Sequence, residues 1–375
     1  MKIAQIAPLI ERTPPRLYGG TERVVSYLTE ELVAQGHYVT LFASGDSVTT
    51  AELVACCDTA LRLSPGVMDP LAYHVMQLEQ VRRRAGEFDI LHFHTEPIHF
   101  PLARELANQT VTTLHGRLDL PHLLPFFTIF NDIPLVSISR AQRTPLPPVN
   151  WVGTVPHGLP NDLLPFRPVP NGDYLAFLGR ISPEKRPDRA IEIATRAGVP
   201  LKIAAKVDRA DLAYWQDLIE PMLNHNPLVE YIGELNEAQK AEFLGNARAL
   251  LFLIDWPEPF GLVMIEAMSC GTPVIAFRCG AVPEVIEDGA SGFVVQNVDE
   301  EVEAVQQLGV LGRAMVRRCF ERRFTVEQMT RRYVSIYQDL VNLRLEDDQL
   351  QDLRDYELRH AAGKSAVLPA FSSSC

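Results

Sequence analysis

The chain opens on a short apolar run, KIAQIAPL, and passes into TERVVSYLTEELVAQG, where Val24, Val25, Leu28, Leu32 and Val33 recur at helical spacing. The run has the character of a strand buried on both faces. The periodic segment predicts an amphipathic helix with Thr21 as N-cap and Gly36 as stop. HYVTLFAS predicts the next strand, and DILHFH, TVTTLHG and PLVSIS predict three more. Strands alternating with helices in this way predict a parallel sheet covered by helices on both faces.

Eight prolines between Pro145 and Pro170 then break every regular pattern, as a linker does. The alternation restarts at DYLAFLGR. RPDRAIEIATRAG predicts a helix with Pro187 in its first turn and Gly198 as its stop, and PLKIAAKV, VEYIG, ALLFLI, TPVIAF and SGFVV predict strands. The expected fold is therefore α/β, with two doubly wound domains in series over residues 1–165 and 172–324. Ligands of such sheets bind in the crevice beyond the carboxyl ends of the strands. One long amphipathic helix is expected over 325–355, capped by Thr325 with Gln328 three residues on, and 356–375 reads as a flexible tail without a role.

Composition changes this picture little. Of 375 residues, 47% are hydrophobic and 22% charged, enough apolar side chains for a core in each half. No run of eighteen apolar residues occurs, and Met1-Lys2 leads into IAQIAP without the features of a secretory leader, so the expected setting is cytoplasmic. The net charge of −12 argues against a nucleic-acid partner and disfavours docking on an anionic membrane. The basic runs Arg82–Arg84 and Arg317–Arg323 are expected to be solvated helix faces. Six scattered cysteines without a C-x-x-C pair read as buried thiols.

Chemistry concentrates in EPFGLVMIEAMSCGTPVIAF, Glu258 to Phe277. ALLFLI is the buried strand before it, and DWPEPFG is the loop at that strand's end. Pro257 and Pro259 delay the helix to about Gly261, leaving the amides of Gly261 and Leu262 free at a helix N-terminus, where an anion such as a diphosphate is held. Glu266 lies about one and a half turns deeper, placed to accept two hydrogen bonds from a vicinal diol. Glu258 falls on the other side of the anion site. Alone, each acid would be a capping or solvated residue. Acids, glycine and prolines together after a buried strand favour a ligand site.

The stretch, with Phe260 inside it, resembles the acid–seven–acid motif of retaining glycosyltransferases of family four, whose GT-B architecture sets two Rossmann-like domains face to face. The resemblance implies a nucleotide-sugar donor. FLGRISPEKRPDRAI is similar to the family's phosphate clamp and implies that Arg180 and Lys185 bracket the donor diphosphate, a forked guanidinium beside a point charge. YGGTERVV resembles the first-domain glycine loop, with Gly19 and Gly20 aimed from across the cleft. TTLHG places His115 where the family keeps a histidine near the reacting sugar, expected to donate to a sugar hydroxyl or help place the nucleophile. His92 and His94 of LHFHTE share a strand face by alternation, and His157 of VPHGLP is expected to be structural.

By resemblance, Glu266 would hold the ribose and Glu258 the sugar, the leaving phosphate would take the acceptor's proton, and the C-terminal helix would brace the first domain. No D-x-D triplet appears, so no metal is expected, and the absence of G-x-G-x-x-G speaks against a nicotinamide or flavin cofactor. Where many relatives carry glycines this chain has Ala204, Ala205 and Lys206, which leaves the base of the donor open. The expected acceptor is the hydroxyl of a saccharide or small metabolite. Three other readings stay open: a nucleotide-sugar epimerase of the same fold, a non-catalytic binding subunit, and a peripheral membrane enzyme making cell-surface polysaccharide or glycolipid.

Overall fold

The computed structural model of the chain describes residues 1–16, 19–64 and 66–364. Among these residues the strands form two parallel sheets. The first comprises β1 (Lys2–Ile6), β2 (Tyr38–Ser44), β3 (Glu52–Cys57), β4 (Ile90–Phe93), β5 (Thr110–Thr113), β6 (Leu135–Ser137) and β7 (Trp151–Thr154), in the order β3-β2-β1-β4-β5-β6-β7. The second comprises β8 (Leu175–Ile181), β9 (Leu201–Val207), β10 (Val229–Gly233), β11 (Ala249–Phe252), β12 (Val274–Phe277) and β13 (Gly292–Val295), in the order β10-β9-β8-β11-β12-β13. In both, the strand order reverses beside the first strand of the unit, which opens a crevice at the carboxyl edge.

Each predicted strand forms, and two strands form that were not expected. β3 and β7 are the edges of the first sheet. Their residues are mostly half-buried, so neither carries the apolar run that marked the central strands. β7 lies inside the proline-rich segment read as linker.

The first helix, Gly20–Ala34, starts one residue before Thr21, with Gly19 at its N-cap, so the expectation that Thr21 caps it is corrected. The glycine pair lets the chain turn into the helix earlier than the hydroxyl would. The predicted helix Pro187–Ala197 ends at Gly198 in the left-handed conformation. The C-terminal helix spans Val326–Lys364, and Thr325 Oγ1 accepts the Gln328 N–H at 3.4 Å. It continues past the expected end at 355, so 356–364 is helical rather than tail, and 365–375 lie outside the described residues.

Tyr333 and Tyr337 of this helix are fully buried with Ile3, Ile90 and Val111 of the first sheet. The basic runs behave differently from one another. Arg82, Arg83 and Arg84 are solvent-side and paired with Glu79, Glu52 and Glu87. Arg317 is buried and donates to the Ser269 and Asn161 carbonyls, an internal staple rather than a solvated face. The described cysteines are thiols; Cys375 lies outside the described residues.

One buried acid lacks hydrogen bonds, with the Arg189 charge only partly offsetting its burial. Glu301, on the helix Val298–Gln306 packed on Pro187–Ala197, is fully buried, and neither carboxyl oxygen has a hydrogen-bond partner. Burial pushes its pKa up from 4.5 to about 9. The folded state therefore holds a proton that the unfolded chain releases near pH 4.5, and the associated stability is lost as pH rises towards 9. Glu301→Met should stabilise the protein by about 1–3 kcal/mol at pH 8, measured by urea unfolding. The gain should shrink at pH 5; an equal gain at both would refute the assignment.

Candidate active site

The carboxyl edges of the two sheets face each other across a cleft of about 710 Å³. Gly19, Gly20, His115, Arg180, Lys185, Glu258, Phe260, Gly261, Leu262 and Glu266 all line it. The sequence separates these residues widely; parallel topology brings them together because every strand ends on the same side.

Gly261 is the N-cap of the helix Leu262–Ser269, with φ of 83°. A Cβ there would lie 2.8 Å from Phe252 Cζ and 2.8 Å from Met264 Cε, so only glycine fits both the conformation and the space. This fixes the helix mouth directly above β11. Across the cleft, a Cβ on Gly20 would stand 3.5 Å from Leu262, which places the two glycine loops against each other.

The charges of the cleft are already matched. Lys185 Nζ lies 2.5 Å from Glu258 Oε2 and over the Trp256 ring at 5.4 Å. The Arg180 guanidinium stands among Glu184, Asp208 and Asp211 at 3.1, 3.8 and 3.5 Å, while its buried Nε makes no hydrogen bond. Lys206, at the end of β9, pairs with Asp208 at 2.9 Å and lines the cleft. Deeper, Lys240 Nζ sits 2.7 Å from Glu266 Oε1 and 3.2 Å from Glu237, and Glu237 in turn takes Arg23 of the first domain.

Sequence reasoning missed Lys240, Arg23 and Trp256. Lys240 reads as an ordinary helix lysine, and nothing local marks it as the partner of Glu266. Trp256 stands between Lys185 and Arg117 of the first domain, whose guanidinium lies 4.8 Å from its ring.

Histidines line the first-domain wall. His94 Nδ1 lies 2.8 Å from His115 Nε2, and His94 Nε2 lies 2.8 Å from Gln5 Oε1. His92 shares the strand face with His94, the rings 4.0 Å apart, as alternation predicted. His157 stacks on His115 at 5.3 Å and meets Phe260 at 5.0 Å, so it sits in the cleft rather than serving only the linker. Burial pushes His115 and His99 down to about 3 and holds His92, His94 and His157 well below 6.5, so all five imidazoles are neutral.

A smaller chamber of about 500 Å³ adjoins the cleft at Thr21 and His115. Asp69, His74, Thr95 and Glu96 line it, and Glu96 accepts the backbone N–H groups of His115 and Gly116. Burial raises the Glu96 pKa against those two hydrogen bonds.

Two outcomes follow from this geometry. Lys240→Ala strands a carboxylate that is only 7% exposed and should cost about 3–5 kcal/mol in urea unfolding. Lys185→Ala, at a wetter pair, should cost about 1 kcal/mol; equal losses would contradict the burial ranking. Five histidines that take protons near 6.5 only when unfolded make stability full above that pH and lost as pH falls, by about 1.4 kcal/mol per pH unit for each. The raised carboxyls of Glu301, Glu96, Glu22 and Glu11 oppose this, one proton each against five. Urea midpoints should therefore drop between pH 6.5 and 5, and a rise over that range would overturn the neutral assignment.

Comparison with known proteins agrees with this architecture. Residues 166–308 match the family model for glycosyl transferases group 1, and residues 18–147 that for glycosyltransferase family 4. The D-inositol 3-phosphate glycosyltransferase of Mycobacterium marinum is 31% identical over 153 residues, 37% of this chain and 31% of its own length. That of Mycobacterium leprae is 32% identical over 143 residues, 37% of this chain and 33% of its own. The chain thus matches about a third of the length of these relatives.

Among solved structures, sucrose-phosphate synthase from Thermosynechococcus elongatus superposes with a TM-score of 0.72 at 18% identity, covering 91% of this chain and 99% of that one. HepE of Anabaena, in complex with UDP and glucose, gives 0.70 at 16%, covering 90% and 100%. A glycosyltransferase of avilamycin A biosynthesis gives 0.67 at 22%, covering 91% and 98%. These likenesses are of fold.

Proposed function

Because the chain belongs to the group 1 glycosyltransferases of family four, built on the GT-B architecture, we propose that it moves a hexosyl group from a nucleotide-sugar donor to an acceptor hydroxyl with retention of configuration. The observation that carries this reading is the Lys185–Glu258 pair at the glycine-capped helix mouth, with Glu266 deeper on the same helix. A diphosphate arriving there is met by Lys185, Arg180 and the Gly261 and Leu262 amides. As Lys185 turns to phosphate, the Glu258 carboxylate is released to take sugar hydroxyls, and Glu266, paired with Lys240, is placed for the ribose diol. These cations and amides stabilise the departing diphosphate, and the reaction we propose uses no metal. Gly19, Gly20 and His115 close on the sugar from the first domain.

The acceptor we propose is an uncharged saccharide or small polyol. Supporting this, Asp69 and Glu96 are acids, and among the described residues lining the smaller chamber there is no Lys or Arg to meet a phosphate. The setting we propose is the cytoplasm, with no membrane partner. No helix of the described residues is long and apolar enough to cross a membrane. The Arg82–Arg84 run is already taken up by Glu79, Glu52 and Glu87.

The test begins with thermal melting in UDP-glucose, UDP-N-acetylglucosamine, GDP-mannose and ADP-glucose. One donor at a hundred times its Kd should add about 2.7 kcal/mol to the wild type and nothing to Arg180→Ala. That donor is then offered free sugars and their phosphates. Nucleoside diphosphate release should depend on an unphosphorylated acceptor, and the product should keep the donor's anomeric configuration. No shift with any donor removes the reading; an inverted product removes retention alone.

A further inference from the structure

One hydrogen-bonded line runs from the C-terminal helix to the cleft. Tyr333 OH lies 3.0 Å from Thr113 Oγ1, which lies 2.7 Å from His92 Nε2. His92 Nδ1 lies 2.7 Å from Tyr337 OH, and the Gln5 amide nitrogen donates to that hydroxyl at 3.2 Å. Gln5 Oε1 faces His94 Nε2, and His94 Nδ1 faces His115 Nε2, both at 2.8 Å. Gln5, His92, Thr113 and Tyr337 are fully buried, and His94 nearly so.

Two proton arrangements connect every member, and they differ by a turn of the Gln5 amide. In the first, Gln5 Oε1 accepts the His94 Nε2–H. One amide hydrogen then points to the Tyr337 oxygen at 3.2 Å. In the second, the nitrogen faces His94 and the oxygen accepts from Tyr337. Each leaves one amide hydrogen without an acceptor, and the structure holds the first, with Gln5 Oε1 towards His94.

Its consequence propagates. His94 carries its proton on Nε2, so its bare Nδ1 accepts from His115 Nε2–H. His115 is then left with a bare Nδ1, which has no hydrogen-bond partner among the described residues, on a residue that lines the cleft. His157 stacks on the ring, Glu96 accepts the backbone N–H, and neither reaches that nitrogen with a hydrogen bond.

We propose that Gln5 and His94 are positioning residues that hold His115 as its Nε2–H tautomer, so that Nδ1 accepts a hydrogen bond from a substrate hydroxyl. This is the reverse of the donation expected from resemblance. The tautomer rests on the hydrogen-bonded line alone; its use rests on the transferase reading.

The test is the nitrogen spectrum of protein carrying ¹⁵N-labelled histidine, with the His115 signals identified by their loss in His115→Asn. Wild-type protein should show His115 protonated on Nε2 and bare at Nδ1 between pH 6 and 8. Gln5→Met should let the other tautomer appear and lower kcat about tenfold, with donor Kd within twofold. His94→Gln, which keeps an acceptor for His115, should retain the tautomer and more of kcat than His94→Leu. A proton on Nδ1 in the wild type overturns the proposal, as do His94→Gln and His94→Leu variants that behave alike. Should Gln5→Met fail to fold, the wild-type spectrum and the His94 pair decide. A protein that binds no donor defeats the transferase reading, while the spectrum still judges the tautomer.

Discussion

Two sheets can share a site only if their carboxyl edges are held face to face, and the backbone does this where the chain crosses between them twice. The Leu159 N–H donates to the Phe324 carbonyl at 2.9 Å, and the Val326 N–H donates to the Leu159 carbonyl at 2.8 Å. A Cβ on Gly158 would lie 2.4 Å from the Thr325 oxygen, so the outgoing and returning strands touch only because this residue has no side chain. Away from the crossing, several of the contacts between the halves are polar: Arg23 to Glu237, Arg117 over Trp256, and the Glu284 carboxylate on the Arg140 and Ala141 amides. Polar contacts of this kind let domains move relative to one another more readily than a dry apolar interface would. The crossing ties the halves together, and the cleft is the gap it leaves.

Inside that gap the electrostatics are balanced in advance. Arg23, Arg62, Arg180, Lys185, Lys206 and Lys240 all line the cleft, and each has a carboxylate beside it. An anion entering must therefore displace acids from their cations, and the released acids must find new donors. A bare phosphate satisfies the first requirement and leaves the second unmet. On the reading proposed above, a molecule with a diphosphate at one end and hydroxyls at both flanks would satisfy both, Glu258 taking up hydroxyl groups as the lysine leaves. On that reading selectivity comes from matching charge and hydroxyl pattern together.

Much of this was legible in the sequence for one reason: parallel α/β folds write their sites locally. A buried strand, a glycine and a helix start occupy a dozen residues, so Gly261, Glu258 and Glu266 could be placed from EPFGLVMIE alone. Gly198 and Pro187 likewise bounded a helix correctly. β3 and β7 escaped because half-buried edge strands lack a continuous apolar run. Lys240 escaped because its meaning depends on Glu266, and Arg317 looked solvated because a basic run says nothing about which member turns inward. Gln5 and Tyr337 stand 332 residues apart, beyond any local pattern.

That last pairing shows why the long helix belongs to the chemistry of the first domain as well as to its packing. Burying three histidines at the ends of β4 and β5 would be costly without acceptors and donors for their ring nitrogens. From the sheet, Thr113 and Gln5 meet those nitrogens. The helix brings Tyr333 and Tyr337 into the gap, rings against the apolar core and hydroxyls towards the strands, and so closes the line. A helix bearing phenylalanine at both positions would pack nearly as well and leave Thr113 and His92 short of partners. The site wall at His115 is thus stiffened from the far end of the sequence, because a satisfied polar line inside a low-dielectric core has few other arrangements open to it.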